Sequence, residues 1–585
     1  MIQVWAPRAE RVRLRRLAGE SDRDLRSGAD GWWTAEVTLA EGEEYGFVLD
    51  DSDELRPDPR SRRQPRGVHE ASAHVDLDAF SWSDDAWTGR QLAGGLLYEM
   101  HVGTYTAEGT LDAAIERLEY LVELGVTHVE LLPVNGFNGL HNWGYDGVLW
   151  YTVHEAYGGP AAYQRFVDAA HAAGLAVIQD VVYNHLGPSG NYLPEFGPYL
   201  RDASRNTWGF SVDLDEPAVR AYIVENALMW MRDYHVDGLR LDAVHALKDS
   251  SERHLLREIA EETDALSAHM GRPLTLIAES DLNDASLILP REAGGYGLGA
   301  QWSDDWHHAV HVALTGEVSG YYADFAAADA LTKVWTGGFF HDGTFSSFRG
   351  HDHGAPVPAE VPTWRLVTFA QDHDQIGNRA AGDRLAASLT PGRLAVAAVL
   401  TLTAPGTPML FQGEEWAAST PWPFFTSHPE PWLGEAVRKG RTEEFSRMGW
   451  DPNLVPDPQD PATFTRAKLN WAESGEGEHG RLLSLYRALA RLRRERPELT
   501  NPDSAAASAV LVAGDNPASR VWELGRGPVR ILVNLSADDA DFALGSDADV
   551  LLVTDAGVAV TGGMLRLPAE SAAIVADPKS REGAR

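Results

Sequence analysis

Four short apolar segments of this sequence each lead into a carboxylate side chain. An acidic group at the end of an apolar strand is costly to bury unless it is paired or used in chemistry. A single such residue is most often a cap or an ion-pair partner, but four of them in one chain favour a shared site. The four residues are Asp180, Asp242, Glu279 and Asp374.

Several carboxylates in a chain without cysteine or a phosphate-binding loop are typical of glycoside hydrolysis. In that reaction one carboxylate attacks the anomeric carbon, and a second, kept protonated, delivers a proton to the leaving oxygen. Arg240 lies two residues before Asp242, so it projects to the same side of the strand, where its guanidinium would keep that carboxylate ionised. Glu279 follows an apolar segment without an adjacent basic residue, which suits a proton donor with a raised pKa.

The elements that position these residues alternate between apolar strands and amphipathic helices over residues 91–496. Among the predicted helices, Thr110–Leu124 has an N-cap threonine and ends before a glycine, and Ser251–Leu266 precedes the segment that leads to Glu279. About eight such units favour a (β/α)8 TIM barrel, of class α/β, in which the carboxyl ends of the strands meet at one mouth. The predicted strands include Leu96–His101, Thr127–Leu132, Leu175–Val182, Gly238–Ala243, Leu274–Ala278, Leu366–Ala370 and Pro408–Phe411.

The two ends of the chain show a different pattern from the barrel. Residues 1–90 contain short apolar runs separated by turns rich in Gly and Asp, which predicts β structure. Helical periodicity vanishes after Pro497, and residues 497–585 are predicted to form a small antiparallel β domain. The sequence therefore predicts three domains, with limits at 1–90, 91–496 and 497–585.

Composition argues against several classes of partner. The chain of 585 residues carries a formal net charge of −36, so a nucleic acid or an anionic membrane would repel it, whereas a neutral sugar would not. No apolar run is long enough to span a membrane. The amino-terminal residues lack the pattern of a signal peptide, and we expect a cytoplasmic protein without a cofactor.

The segments that carry these carboxylates resemble, in order and spacing, the four signature regions of the α-amylase family (glycoside hydrolase family 13). They are Asp180-Val-Val-Tyr-Asn-His185, Gly238-Leu-Arg-Leu-Asp-Ala243, Glu279 and His373-Asp374.

The resemblance implies a retaining mechanism that divides the work among three carboxylates. Asp242 is then the nucleophile, Glu279 the acid/base, and Asp374 the residue that stabilises the transition state by binding sugar hydroxyls. One departure from the family is Asp372, where many members have Asn, and this departure adds a possible negative charge.

The resemblance also implies residues that contact the substrate around these carboxylates. Tyr145 would stack beneath the sugar, His185 and His373 would contact the same unit, Arg240 would orient Asp242, and Asp180 would support the site. Trp416 is a further possible contact. The full set of implied substrate contacts is Tyr145, Asp180, His185, Arg240, His245, His373, Gln375, Trp302, Asp304 and Glu414.

Longer stretches resemble the family members that act on maltooligosyltrehalose. They include Leu97–Thr104, His373–Arg379, Phe411–Trp416 and Arg438–Arg441. This resemblance implies cleavage of the α-1,4 bond next to a terminal trehalosyl unit, releasing trehalose and a maltooligosaccharide. It also implies an N-terminal β-sandwich and a maltooligosyltrehalose synthase as functional partner. One alternative is a glycogen branching or isoamylase-type debranching enzyme. The other is a non-catalytic glucan-binding relative, and the presence of all three carboxylates argues against it.

Histidine and aspartate also cluster at two points outside these motifs, in His341-Asp342 and His351-Asp-His353. Their spacing is not that of a helix-borne metal site. We interpret both as loop residues and expect no metal ion.

Overall fold

Two antiparallel sheets form the amino-terminal part of the molecule. One has the strand order β1-β5-β4 and the other β3-β2-β6-β7, and apolar side chains of both, including Val4, Leu14 and Phe47, share one core. This arrangement is the β-sandwich that the resemblance implies. The strands are β1 (Ile2–Trp5), β2 (Val12–Arg16), β3 (Arg23–Asp24), β4 (Arg26–Ser27), β5 (Trp32–Ala35), β6 (Glu44–Leu49) and β7 (Ser72–Ala73).

Eight parallel strands close into a barrel at the centre of the molecule, which confirms the predicted fold class. The structure, a computed structural model, describes residues 1–19, 21–206, 209–447, 454–512 and 520–577. Two hairpins, β11–β12 and β16–β17, are inserted between barrel strands. In chain order the strands are β8 (Leu97–Met100), β9 (His128–Leu131), β10 (Ala176–Val181), β11 (Leu200–Asn206), β12 (Gly209–Val212), β13 (Gly238–Leu241), β14 (Thr275–Ala278), β15 (Ala300–Trp302), β16 (Thr344–Ser346), β17 (His351–His353), β18 (Leu366–Thr368) and β19 (Thr407–Phe411).

Helices surround the barrel and fill the connections at its mouth. No helix of the described residues is long and apolar enough to cross a membrane. The helices are α1 (Val102–Tyr105), α2 (Leu111–Ile115), α3 (Leu118–Leu124), α4 (Gly159–Ala172), α5 (Leu193–Phe196), α6 (Pro217–Asp233), α7 (Leu255–Met270), α8 (Asp304–Thr315), α9 (Ala330–Gly337), α10 (His373–Gly377), α11 (Pro391–Thr403), α12 (Pro431–Arg447), α13 (Pro461–Ala467) and α14 (Gly477–Glu495).

Two predicted helices differ from the structure. The helix expected over Thr110–Leu124 is divided into α2 and α3, because Arg117 leaves the helical conformation at φ −108° and ψ 1°. The helix expected from Ser251 begins at Leu255 instead. Ser251 belongs to a turn in which its backbone N–H donates to Asp249 Oδ1 at 2.9 Å, a local bond that competes with helix formation.

Two antiparallel sheets follow the barrel. The larger has the strand order β20-β21-β22-β27-β24 and the smaller β23-β26-β25, with Leu532, Phe542 and Leu565 packed between them. Residues 513–519 and 578–585 of the predicted C-terminal domain lie outside the described residues. The strands are β20 (Ala507–Leu511), β21 (Val521–Arg526), β22 (Val529–Asn534), β23 (Ala540–Ala543), β24 (Asp549–Val553), β25 (Ala559–Thr561), β26 (Met564–Leu567) and β27 (Ser571–Ala576).

A buried histidine connects the segment that precedes β8 to the amino end of β13. His171 on α4 contacts Asp84 Oδ2 through Nδ1 at 2.8 Å and Asp237 Oδ2 through Nε2 at 3.0 Å. Trp87 stacks on the imidazole with ring centroids 4.6 Å apart. Burial alone would lower the pKa of His171, but the hydrogen bonds to Asp237 and Asp84 outweigh it and raise that pKa.

We expect His171→Gln to lower the free energy of unfolding by about 1–3 kcal/mol, because buried carboxylates lose a charged donor. The raised pKa means that this contribution is complete below the ordinary histidine value of 6.5 and is lost as the pH rises through the folded-state pKa. Denaturant unfolding at pH 5.5 and at alkaline pH measures the difference, with exposed His269→Gln as the control. An equal loss at both pH values would contradict a charged His171.

Candidate active site

The carboxyl ends of three neighbouring barrel strands bring four predicted residues together. Asp180 on β10 lies beside Arg240 on β13 in the parallel register. Asp242 directly follows β13, and Glu279 directly follows β14. Because strands of a parallel barrel end at one mouth, these four side chains form the floor of a single site.

The Arg240 guanidinium is the centre of this group. Its Nη1 donates to Asp242 Oδ1 at 2.7 Å and to Asp180 Oδ2 at 2.9 Å, and its Nη2 lies 3.8 Å from Glu279 Oε2. The side chain is fully buried, with its guanidinium carbon 4.5 Å from the centre of the Trp302 ring. Burial opposes a charge on Arg240, but the surrounding acidic groups outweigh it and raise the pKa well above its ordinary value.

The Glu279 carboxyl group is largely buried and has a backbone donor of its own. The N–H of Ala243 donates to Glu279 Oε2 at 2.6 Å. Ala243 holds this position in a left-handed conformation, with φ 41° and ψ 52°, that costs about 1–2 kcal/mol for a residue other than glycine. Burial, opposed by Arg240 and reinforced by Asp242, raises the pKa of Glu279 to about 7. A carboxyl group with that pKa can donate a proton at neutral pH.

A chain of hydrogen bonds crosses the mouth from β8 to β10. Glu99 accepts from His373 Nδ1 at 2.5 Å and from the His373 backbone N–H at 2.9 Å. On the other side, His373 Nε2 lies 2.8 Å from the Tyr145 hydroxyl, which donates to Asp180 Oδ2 at 2.7 Å. Burial alone would lower the pKa of His373, but the carboxylates of Asp374 and Glu99 raise it to about 10. His373 is therefore an imidazolium at neutral pH.

Sequence reasoning missed two residues that complete these contacts. Glu99 is an acidic residue inside the apolar strand β8, and this position was the signal that could have identified it. Asn184 donates through Nδ2 to Asp242 Oδ2 at 2.8 Å, and its Oδ1 lies 2.5 Å from His185 Nδ1. It stands next to His185 in a segment already compared with the family. Asn184 therefore links a substrate-contact candidate to the candidate nucleophile.

Asp374 is the most open of the three candidate catalytic carboxylates. Its side chain is 42% exposed, against 11% for Asp242 and 13% for Glu279. Its Oδ2 lies 3.4 Å from His373 Nε2, and its Oδ1 accepts from Asn378 Nδ2 at 3.3 Å. This exposure leaves the Asp374 carboxylate accessible to a sugar bound in the mouth.

The departure from the family at Asp372 places a carboxyl group in a buried capping position. Asp372 caps helix α10, where its Oδ1 accepts from the backbone N–H of Gln375 at 2.7 Å. Burial, reinforced by the nearby carboxylate of Glu99, raises the pKa of Asp372 well above the usual range. The side chain keeps the size of Asn, and its surroundings oppose a negative charge at this position.

Four further predicted residues lie on connections that follow barrel strands. His185 Nε2 lies 2.9 Å from the backbone oxygen of Tyr145. His245 is partly exposed, and its Nδ1 lies 3.9 Å from Asp281 Oδ1. Asp304 begins α8, where burial and the charge of the nearby catalytic carboxylates raise its pKa well above the usual range. Gln375, partly buried on α10, immediately follows Asp374.

The structure contradicts the substrate contacts predicted for Trp302, Glu414 and Trp416, because Trp302 packs with apolar side chains of the barrel strands and the other two pack against outer elements. Trp302 is 1% exposed and lies against the Arg240 guanidinium. Glu414 accepts from the hydroxyl of Tyr486 on α14 at 3.1 Å and from a backbone N–H of β19, so it faces an outer helix. Trp416 is fully buried among aromatic rings. All three side chains have structural roles.

The histidine segments outside the motifs belong to a loop and to hairpin β16–β17. His353 in β17 contacts the backbone oxygen of Asp281 through Nε2 at 2.8 Å. Within the described part of the chain, no group of three or more His, Asp or Glu side chains has an arrangement that could hold a metal ion.

Comparison with known proteins agrees with this geometry. Residues 78–210 match the family model for the alpha amylase catalytic domain. The chain is 57% identical over 586 residues to the malto-oligosyltrehalose trehalohydrolase of Rhizobium sp. strain M-11, covering 98% of this chain and 97% of that relative. The enzyme of the same name from Arthrobacter ramosus is 58% identical over 538 residues, covering 91% and 92%. The chain belongs to the malto-oligosyltrehalose trehalohydrolase family. It is therefore a glycoside hydrolase of the α-amylase family.

A solved structure and a more distant relative place this family assignment in context. The crystal structure of an alpha amylase candidate from Salmonella typhimurium superimposes with a TM-score of 0.88 at 37% identity, covering 98% of this chain and 97% of that one. A 1,4-alpha-glucan branching enzyme from Corynebacterium jeikeium is 27% identical over 463 residues, covering 72% of this chain and 61% of that enzyme. The branching-enzyme alternative thus corresponds to a distant relative only.

We expect kcat/KM for hydrolysis to fall as the pH rises through about 7, because the raised pKa of Glu279 sets the pH at which this carboxyl group loses its proton. Initial rates on maltooligosyltrehalose between pH 5 and 9 measure this limb. Glu279→Gln is expected to abolish this decrease in kcat/KM above pH 7 and to remove most of the activity. The control is Glu262→Gln, at an exposed position. A rate that stays constant to pH 9 would contradict Glu279 as the proton donor.

Proposed function

We propose that this protein hydrolyses the α-1,4 glucosidic bond next to the terminal trehalosyl unit of a maltooligosyltrehalose, releasing trehalose and a maltooligosaccharide. The observation that carries the chemistry is the contrast between two neighbouring carboxylates. Asp242 accepts hydrogen bonds from the buried Arg240 cation and from Asn184, whereas Glu279 has a pKa raised to about 7. The first group is paired with a cation, and the second can carry a proton at neutral pH. The choice of substrate is supported by the names of the relatives.

In the first step Asp242 attacks the anomeric carbon and a carboxylate–sugar ester bond forms. The bond between that carbon and the bridging oxygen breaks, its electron pair stays on the oxygen, and Glu279 protonates it to give trehalose. In the second step Glu279 takes a proton from water, the water oxygen attacks the same carbon, and Asp242 is released. Two inversions retain the α-configuration.

The other polar groups act on the sugar that carries the reacting carbon. Asp374, the most exposed of the three carboxylates, accepts hydrogen bonds from sugar hydroxyls as positive charge develops on the ring. The His373 imidazolium and His185 contact the same unit, and Tyr145 stacks beneath it. Tyr145 is held in place by its bonds to Asp180 and His373.

Rim residues complete the substrate contacts of the proposal. His245, Asp304 and Gln375 surround the floor of the site on three different connections of the barrel. Arg240 and Asp180 act beneath the sugar by fixing Asp242 and Tyr145. We assign no metal ion or other cofactor to the reaction.

The proposal also includes the domain limits of the enzyme, its location in the cell and the source of its substrate. We divide the chain into an N-terminal sandwich over 1–90, the catalytic barrel over 91–496 and a C-terminal β domain over 497–585. We place the enzyme in the cytoplasm, where a maltooligosyltrehalose synthase would supply the substrate. The net charge of −36 suits a neutral oligosaccharide and disfavours nucleic acid.

Product analysis tests the specificity. We expect purified enzyme to release trehalose as the main disaccharide from maltotriosyltrehalose, because cleavage occurs at the bond next to the trehalosyl unit, and to leave amylose largely intact. Chromatography of the products with trehalose and maltose standards measures the outcome, and Asp242→Asn is the control for contaminating activity. New α-1,6 branches in amylose, or no trehalose from maltotriosyltrehalose, would contradict the proposal.

A further inference from the structure

An arginine on helix α12 reaches the residues that follow Asp374. Arg441 donates through Nη2 to the backbone oxygen of Gly377 at 3.0 Å and through Nη1 to Asn378 Oδ1 at 3.3 Å. Asn378 in turn donates through Nδ2 to Asp374 Oδ1 at 3.3 Å. Because an amide has a donor end and an acceptor end, the bond from Arg441 determines which end of Asn378 faces Asp374.

Arg441 is itself fixed by the surfaces around it. Its guanidinium carbon lies 4.9 Å from the ring centre of Phe424 and 4.8 Å from that of Phe445, and its Nη1 also donates to Glu444 Oε2 at 3.0 Å. The side chain is only 14% exposed. A long side chain confined between two rings and a carboxylate has little rotamer freedom left, so Arg441 presents its donors to Asn378 in a preset direction.

Asp374 needs such support more than the other two carboxylates do. Asp242 is bonded to Arg240 and Asn184, and Glu279 is bonded to a backbone N–H. The polar contacts of Asp374 are longer, at 3.3 Å and 3.4 Å, and almost half of its side chain is exposed. The direction of its carboxylate therefore depends on His373 and Asn378, and also on the groups that orient Asn378.

We propose that Arg441, acting through Asn378, is a positioning residue for Asp374. This inference rests on the proposed function, in which Asp374 binds the sugar more strongly in the transition state than in the ground state. A misdirected Asp374 loses that differential binding, so the effect falls on kcat and not on KM. Helix α12 belongs to the connection after β19, so the last connection of the barrel controls a carboxylate that follows β18.

The test uses the full-length enzyme with maltotriosyltrehalose as substrate. We expect Arg441→Gln and Asn378→Ala each to lower kcat by about 10- to 100-fold, the range expected for a misplaced catalytic group, while KM changes by less than about two-fold. Since both act on one carboxylate, the double variant should be no slower than the slower single variant. Arg441→Lys keeps the charge but loses the fork that reaches two acceptors, and should give an intermediate kcat.

The matched control is Arg438→Gln, which removes an arginine of the same helix whose exposed side chain pairs with Glu435. It should have the kcat of the wild type. The thermal midpoint of every variant is measured alongside. Should Arg441→Gln fail to fold, Asn378→Ala at an exposed position carries the same test.

Two results would overturn the positioning role. One is a kcat within about two-fold of the wild type for Asn378→Ala, and the other is a double variant whose losses add in full. Asp374→Asn separates this failure from failure of the proposed function. If Asp374→Asn is inactive while Asn378→Ala is normal, only the positioning role is wrong. If Asp374→Asn itself retains wild-type kcat, the proposed mechanism is wrong as well.

Discussion

A single buried cation holds the floor of this active site together. The guanidinium of Arg240 is fully buried and bonds to both Asp180 and Asp242, with Glu279 just beyond hydrogen-bond distance. Without that cation, three acidic groups would share a mouth of low polarity, and mutual repulsion would favour their protonated forms. With it, Asp242 is paired with a cation, and Glu279 has a pKa of about 7 that suits proton transfer. The chemistry proposed here depends on this difference between Asp242 and Glu279.

Two features of the fold place these groups: the pairing register of β10 with β13, and the left-handed backbone conformation of Ala243. Parallel pairing of β10 with β13 sets Asp180 beside Arg240, so the ion pair follows from closing the barrel. The left-handed conformation of Ala243 turns its N–H toward Glu279. Glu99 then balances the charge of His373 on the far side of the mouth. The site is thus a network whose charges are fixed before a substrate binds, and such preorganisation lowers the cost of reaching the transition state.

Sequence patterns predicted the parts of this network that lie in regular structure. Apolar runs identified β13 and β14 to within a few residues, and their ends located Asp242 and Glu279. Sequence patterns failed to predict which side chains reach the substrate, because tertiary packing decides that. Glu414 and Trp302 carry suitable side chains but are covered by other elements, and no local signal shows this. The position of Glu99 inside an apolar strand was visible in the sequence, but its partner, His373, lies 274 residues further along the chain.

The most direct test of the account is to trap the glycosyl-enzyme. The Glu279→Gln variant retains the nucleophile but lacks the base for the second step. In α-maltosyl fluoride the leaving group needs no acid, so the first step can still occur. The maltosyl group should therefore accumulate as an ester on the enzyme. Peptide mass spectrometry locates that ester. The account predicts a stable sugar adduct on Asp242 and none on Asp180 or Asp374. An adduct on either of those residues, or rapid turnover with inverted product, would contradict the roles assigned to Arg240 and Asp242.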